Sequence, residues 1–195
     1  MRGAPAPGMS GDAFLDFLLE YNRKVNLVSR HSTRESLQAL VAETLLLKDL
    51  VSTPLLVDAG SGGGLLGIPL ALALPAKRVV LVETIGKKAA FLHEALRRLR
   101  LDNAEVWEGP VQDFMHRRGR FDSSQAARGF PAIEALAEYV LRGKVRELLL
   151  ISSPAKIGKI APRLAKFRQT SYNIPSRDNL VVFKLENVSR ETHAS

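Results

Sequence analysis

The chain contains no cysteine. Disulfide staples, thiolate metal sites and cysteine nucleophiles are therefore excluded. Its four histidines are scattered and form no ligand cluster, so no metal centre is expected. Long apolar runs are also missing. The longest uncharged stretch, Ala59 to Ala76, is interrupted by glycine and proline and makes a poor membrane span. Residues 1–9 are rich in glycine, proline and alanine without an apolar centre, unlike a signal peptide. A soluble cytoplasmic protein is the default expectation. Acidic residues are the minority, 20 against 28 Lys plus Arg, for a net charge of +8. That balance favours a polyanionic partner such as nucleic acid, although a merely basic surface would produce it too. Apolar residues, at 46%, are ordinary for a globular chain and argue against wholesale disorder. The 195 residues suffice for one domain with a proper core and a helical extension.

The chain is organised around Leu55 to Gly67, LLVDAGSGGGLLG. Leu55, Leu56 and Val57 form a short apolar run typical of a buried strand, and Asp58 ends it. Gly60, Gly62, Gly63, Gly64 and Gly67 follow, then the apolar segment Ile68 to Leu74. Strand, glycine turn and helix in this order predict the first βαβ unit of a nucleotide-binding sheet. Glycines permit the tight turn and a close ligand approach, and the helix start favours an anionic group. A second strand, Val79 to Val82, ends in Glu83, where a carboxylate suits the two hydroxyls of a ribose. Asp58 beside the loop opposes a pyrophosphate and favours a ligand that carries positive charge. Asp58, the glycines including Gly60 and Gly62, and Glu83 together suit S-adenosylmethionine (SAM) better than NAD. A tight structural turn flanked by two solvated acids is the bland alternative.

Before the sheet, Ser10 is an expected N-cap, and Phe14, Phe17, Leu18 and Tyr21 recur at helical spacing. The basic connection YNRKVNLVSR spans Tyr21 to Arg30. Ser32 and Glu35 are spaced as a capping box ahead of a second amphipathic helix with Leu37, Leu40, Val41 and Leu45. Lys87 to Leu99 predicts a further helix, burying Ala90, Phe91, Ala95, Leu96 and Leu99. Its outer face carries Lys87, Lys88, Arg97, Arg98 and Arg100, which suit phosphates or simply a solvated face. Ala104 to Glu108 is a third strand; its Trp107 either stacks on a purine or serves as a core or rim aromatic. Phe114 to Arg128 holds few apolar residues, and Ser123-Ser124 stands where a fourth strand should start. A helix is expected from Pro131 through Leu141, a buried strand over Glu147 to Ser152 and a basic helix over Lys156 to Phe167 that Pro162 can interrupt. Leu180 to Leu185 is the last strand, after the turn-like Ser176 to Asn179.

The alternation predicts an α/β fold: a mostly parallel open sheet with helices on both faces and an N-terminal helical extension. The expected organisation is a flexible tail over 1–9, a helical extension over 10–50, the main domain over 51–188 and a tail over 189–195.

The segments LVDAGSGGGLLGIPLALALP and VVLVETIGKKAAFLHEALRRLRLDNAEV resemble the bacterial RsmG (GidB) family. YNRKVNLVSR is similar to that family's Trp/Tyr-Asn-x-x-x-Asn-Leu segment, and NLVVFKLE to its closing strand. The resemblance covers roughly residues 14 to 185 and is most specific over Asp58 to Asn103. It implies a Rossmann-like SAM-dependent methyltransferase fold, and transfer of a methyl group from SAM to the N7 of a guanine in 16S ribosomal RNA. The implied partner is that RNA or the small ribosomal subunit, with no membrane. By motif position, Gly60 and Leu65 would contact SAM, Glu83 its ribose, and Val111 and Gln112 its adenine. Arg128 would match an arginine after the fourth strand, with one residue inserted here. No catalytic triad is visible, and none is needed for an acceptor nitrogen that carries no proton.

The sequence also departs from that pattern. Pro110 replaces the arginine of a Gly-Arg-Ala-Glu segment, and Gln112 replaces its acid. A His-x-x-Asp-Ser segment has become Leu40 to Thr44, with Glu43 and Thr44 as near equivalents. Ser123-Ser124-Gln125 replaces an apolar strand, and Ser152-Ser153-Pro154 replaces a lysine and glycine. Alternatives are a non-catalytic or weakened RNA-binding relative that keeps the fold, a small-molecule SAM methyltransferase and, more distantly, an NAD oxidoreductase.

Overall fold

The structure is a computed structural model, and it describes residues 11–118, 123–128, 136–138, 142, 145–175 and 177–186. The expected cap at Ser10, both tails and most of the 131–141 helix lie outside the described residues; 136–138 are helical. Two helices come first, α1 (Gly11–Asn22) and α2 (Arg34–Leu45). The first half of the sheet region follows as β1 (Leu55–Ala59), α3 (Gly67–Ala73), β2 (Arg78–Glu83), α4 (Gly86–Leu99) and β3 (Ala104–Glu108). The second half comprises α5 (Val111–Arg118), β4 (Ser123–Arg128), β5 (Glu147–Ser152), α6 (Pro154–Ile160), β6 (Arg168–Ile174) and β7 (Arg177–Glu186).

All seven strands form one sheet in the order β3-β2-β1-β4-β5-β7-β6. Strands β1 to β5 pair in parallel, while β7 runs antiparallel to both β5 and β6. The open α/β architecture expected from the sequence is therefore present, with helices on both faces. Period-two alternation sorts the side chains: Leu56, Val79 and Leu81 face the core under α1 to α4, and Val57, Val80 and Val82 face the core under α5 and α6. Strands buried on both faces read as continuous apolar runs, which is why β1, β2 and β5 were visible in the sequence.

Helix α1 buries Phe14, Phe17 and Leu18 as its spacing predicts. Asn22 then folds the connection back: its Oδ1 accepts from the N–H groups of Leu27 (2.8 Å) and Val28 (3.1 Å). The cap of α2 lies one residue later than expected. Thr33 Oγ1 accepts from Ser36 N–H at 3.2 Å and Ser36 Oγ accepts from Thr33 N–H at 2.9 Å, so a serine does the work expected of Glu35. On α4 it is Ala89, not Ala90, that is buried, because the helix begins at Gly86 and turns its face by one position.

Strand β4 stands where a fourth strand is expected, and two other elements, α5 and β6, differ from the sequence reading. Strand β4 forms although Ser123-Ser124-Gln125 is polar, since β1 and β5 supply its pairing on both sides. Helix α5 covers the stretch that seemed irregular and is anchored by buried Phe114 and Met115. Strand β6 was not anticipated. It is an edge strand with most side chains half-buried or exposed, so it carries no apolar run. The basic helix ends at Ile160, and Pro162 lies in the 3-10 turn Ala161–Leu164, where its missing N–H breaks the α pattern.

At the N-terminal end of the sheet, Glu147 is wholly buried and accepts from Ser52 N–H (2.8 Å) and Ser52 Oγ (2.7 Å). Lys184 Nζ lies 3.2 Å from Glu147 and 3.1 Å from Glu186. Burial disfavours the Lys184 charge, but hydrogen bonds and the charges of these two acids outweigh it and raise its pKa. No described helix is long and apolar enough to cross a membrane.

Candidate functional site

The loop between β1 and α3 lies at the C-terminal ends of β1 and β2. Gly60 and Ser61 both donate to the Val82 carbonyl at 2.9 Å, which ties the loop to the tip of β2. Gly60, Gly62 and Gly64 adopt φ of +79°, +56° and +74°, a region costly for other residues. The loop glycines then divide into two kinds. A Cβ on Gly60 would meet nothing within 4 Å, and one on Gly62 only the Gly60 carbonyl at 3.9 Å. These two faces are open. A Cβ on Gly63 would lie 3.2 Å from Leu18 and 3.3 Å from Val28, so α1 and its connection close that side. A Cβ on Gly67 would collide with Leu81 and lie 2.8 Å from the Asp58 carboxyl, so helix and sheet close the other.

The two acids hold the loop. Glu83 is 5% exposed; one carboxylate oxygen accepts from Gly62 N–H at 2.8 Å and the other from Ile85 N–H at 2.9 Å. Each oxygen has a second lone pair for a further donor. Asp58 is 2% exposed and accepts from Gly67 N–H at 3.0 Å, the start of α3. Burial raises its pKa from 3.8 to about 7, against the hydrogen bonds of Ser61 and Gly67 that lower it and with the neighbouring Glu83 charge that raises it. Asp58 therefore sits under the loop as a poised buried acid. Nothing in residues 58–67 carries a positive charge, so the loop offers no charged side chain to a pyrophosphate.

The other expected residues spread around the strand tips. Leu65 is half-buried against the α1–α4 core, and its carbonyl accepts from Thr44 Oγ1 at 3.1 Å. Thr44 and Glu43, the near equivalents of the second-helix motif, are both buried. Val111 packs at the rim of the core under α5, and Gln112 is exposed one residue on. Pro110 precedes them in the turn, its carbonyl accepting from Asp113 N–H. Arg128 ends β4 opposite Ile151; its side chain lies outside what is described. Trp107 packs edge-on against Phe114, with ring centroids 5.4 Å apart, on the α5 side of the sheet. Its Nε1 is buried without a partner among the described residues.

The sequence reading missed Ile85. This residue is 50% exposed between Glu83 and α4, a large apolar side chain uncovered at the strand tips. An isoleucine directly ahead of a glycine-initiated helix was the available signal. With Val111, it offers apolar surface beside a carboxylate and two open glycines. Such a site can receive a flat heterocycle with a hydroxyl-bearing ring. Among the described residues there is no group of three metal-ligating side chains.

Comparison with known proteins follows the same line. The family model for rRNA small subunit methyltransferase G (GidB) matches residues 10–155. A ribosomal RNA small subunit methyltransferase G from Marinobacter nauticus is 36% identical over 127 residues, 65% of this chain and 58% of that one. The protein of the same name from Xylella fastidiosa is 43% identical over 96 residues, 49% of this chain and 45% of that one. The chain thus spans about half the length of the curated relatives it matches. In three dimensions the O-methyltransferase from Bacillus cereus, solved in complex with SAH, superposes with a TM-score of 0.66 at 17% identity, covering 94% of this chain and 92% of that one. The O-methyltransferase TomG from Streptomyces achromogenes, solved with SAM, gives 0.65 at 16% identity over 91% of each chain. These two likenesses establish the Rossmann-like methyltransferase fold. With three quarters of its length inside the family model, the chain belongs to the rRNA small subunit methyltransferase G (GidB) family.

Proposed function

We propose that this chain is a SAM-dependent methyltransferase acting on the N7 of a guanine in 16S ribosomal RNA, in a cytoplasmic setting. The observation that carries the reading is the pair of open glycines, Gly60 and Gly62, with Glu83 holding the Gly62 N–H, inside the segment that matches the family. We assign residues 51–188 to the methyltransferase domain and residues 10–50 to a helical extension.

The residues present fit the cofactor. Gly60 and Gly62 let it approach the backbone, and the free lone pairs of Glu83 accept from the ribose hydroxyls. Ile85 and Val111 would offer apolar surface to the adenine, and the Gln112 side-chain carbonyl could accept from its amino group. Leu65 lines the loop, Asp58 supplies a buried acid beneath it, and Arg128, the last residue of β4, would be the residue there to meet RNA or cofactor. Bound SAM supplies a sulfonium-activated methyl group. The acceptor N7 has a lone pair and no proton, so no side chain needs to act as a base. The protein's part is alignment of the two reactants and exclusion of water.

Small-subunit RNA lacking the modification, incubated with the protein and methyl-labelled SAM, should acquire label at a guanine N7. Pro110 and Gln112 favour one second reading, a non-catalytic or weakened RNA-binding relative. Binding of both RNA and SAM without transfer would select that reading and contradict the enzyme.

A further inference from the structure

Where the RNA backbone would be held is a separate question, and the packing of α1 on α4 bears on it. Phe17 stacks on Phe91 with centroids 5.2 Å apart, and the Arg98 guanidinium lies 4.1 Å from the Phe17 ring centre. Tyr21, one turn further along α1, also meets Phe91, at 5.1 Å. Phe17 meets both Phe91 and Arg98 whereas Tyr21 meets Phe91, so the end of α1 lies toward the first half of α4. The end of α1, with Arg23 and Lys24, therefore comes to the same end as the first turn of α4, with Lys87 and Lys88. That end is also where the loop glycines lie: Leu18, Leu27 and Val28 pack against Gly63.

The four cations at this end, like Lys166 and Arg168 elsewhere, are not held by an acid among the described residues. Arg34, Arg78, Arg97, Arg98 and Arg163 are each paired with acids, whereas Arg23, Lys24, Lys87 and Lys88 enter no ion pair among the described residues. Arg23, Lys24 and Lys87 are exposed and Lys88 is half-buried. Two lysines in the first turn of α4 oppose the helix dipole, and no acid stands in that turn. The Glu108 carboxylate reaches Gly86 from β3, and Glu83 accepts from the N–H of Ile85, so two acids stand at this helix start.

We infer that Arg23 and Lys24 together with Lys87 and Lys88 form a phosphate-binding rim that seats the substrate RNA backbone beside the cofactor loop. The inference rests on the RNA methyltransferase reading and specifies the RNA-facing surface of that site. Asn22 is a positioning residue for the rim, since its side chain fixes the connection that follows Arg23 and Lys24.

The test compares R23Q/K24Q/K87Q/K88Q with a control that removes charge at the opposite end of the sheet, K166Q/R168Q, and with the wild type. Unmodified small-subunit RNA is titrated at several salt concentrations, and SAM is titrated separately. If each cation neutralises one phosphate, the slope of log K against log salt falls by roughly 3, and affinity near 0.15 M salt falls on the order of 100-fold. The control should lose little, SAM affinity should be unchanged, and the melting temperature of the fourfold variant should hold or rise. Wild-type RNA affinity and slope in the fourfold variant would overturn the rim. So would a loss matched by the control, or a loss accompanied by a lower melting temperature. A wild-type protein that binds no RNA would instead remove the functional reading on which the rim depends.

Discussion

Replacing Asp58 by Asn removes a titrating proton from beneath the glycine loop while keeping the shape of the side chain. An amide oxygen can still accept from Gly67 N–H, now at 3.0 Å. In the folded protein the Asp58 carboxyl keeps its proton up to about pH 7, whereas unfolding returns it to the ordinary value of 3.8. Between those values the folded chain binds more protons than the unfolded one, so this group's contribution to stability is full below about pH 4. It is lost as pH rises through about 7 and is constant above. At about 1.36 kcal/mol per pH unit the interval amounts to roughly 4 kcal/mol as an upper value. Asp58→Asn does not titrate, so its stability relative to wild type should climb from pH 4 to 7 and then level off. Urea unfolding of both proteins at half-unit steps from pH 4 to 8 reads this difference directly. Parallel profiles, with a constant offset across the whole range, would refute the claim that burial governs this acid.

Other expectations follow from the same geometry. Gly67→Ala places a methyl against Leu81 and Asp58 and should destabilise by about 1–3 kcal/mol in thermal melts, the usual cost of overpacking. Gly60→Ala meets no atom, so its cost should be confined to about 1–2 kcal/mol of left-handed backbone strain. Thr33→Ala removes the observed α2 cap and should cost about 1 kcal/mol, with Ser32→Ala near neutral; the opposite ranking would contradict the cap assignment. Glu83→Gln should weaken SAM binding at least tenfold by calorimetry, since one of its two acceptor oxygens becomes a donor facing Gly62 or Ile85 N–H.

What the sequence disclosed tracks how strongly each segment is buried. Strands β1, β2 and β5 carry uninterrupted apolar runs because both faces are covered, and the glycine loop declares itself through backbone demands that only glycine meets. Strand β6 stayed hidden because an edge strand with exposed side chains needs no apolar pattern. Strand β4 is held by its neighbours instead of by its own residues. Helix α5 carries the i, i+3, i+4 set Val111, Phe114 and Met115, but it is a single short stretch of eight residues in an otherwise polar segment. At the site, Asp58 and Glu83 were legible as acids at strand tips. Their grip on Gly67, Gly62 and Ile85 N–H groups was not, because it depends on loop geometry that brings together residues up to 21 positions apart. Ile85 was passed over for the same reason: only the fold reveals that it is uncovered.

Calorimetric titration of the protein with SAM, with S-adenosylhomocysteine and NAD as comparisons, tests the central claim most directly. The open glycines and the Glu83 carboxylate predict saturable one-to-one binding of the first two, and Asp58 beneath the loop, which opposes a pyrophosphate, predicts none of NAD. Absence of binding by both SAM and S-adenosylhomocysteine, repeated in the presence of small-subunit RNA, would contradict it.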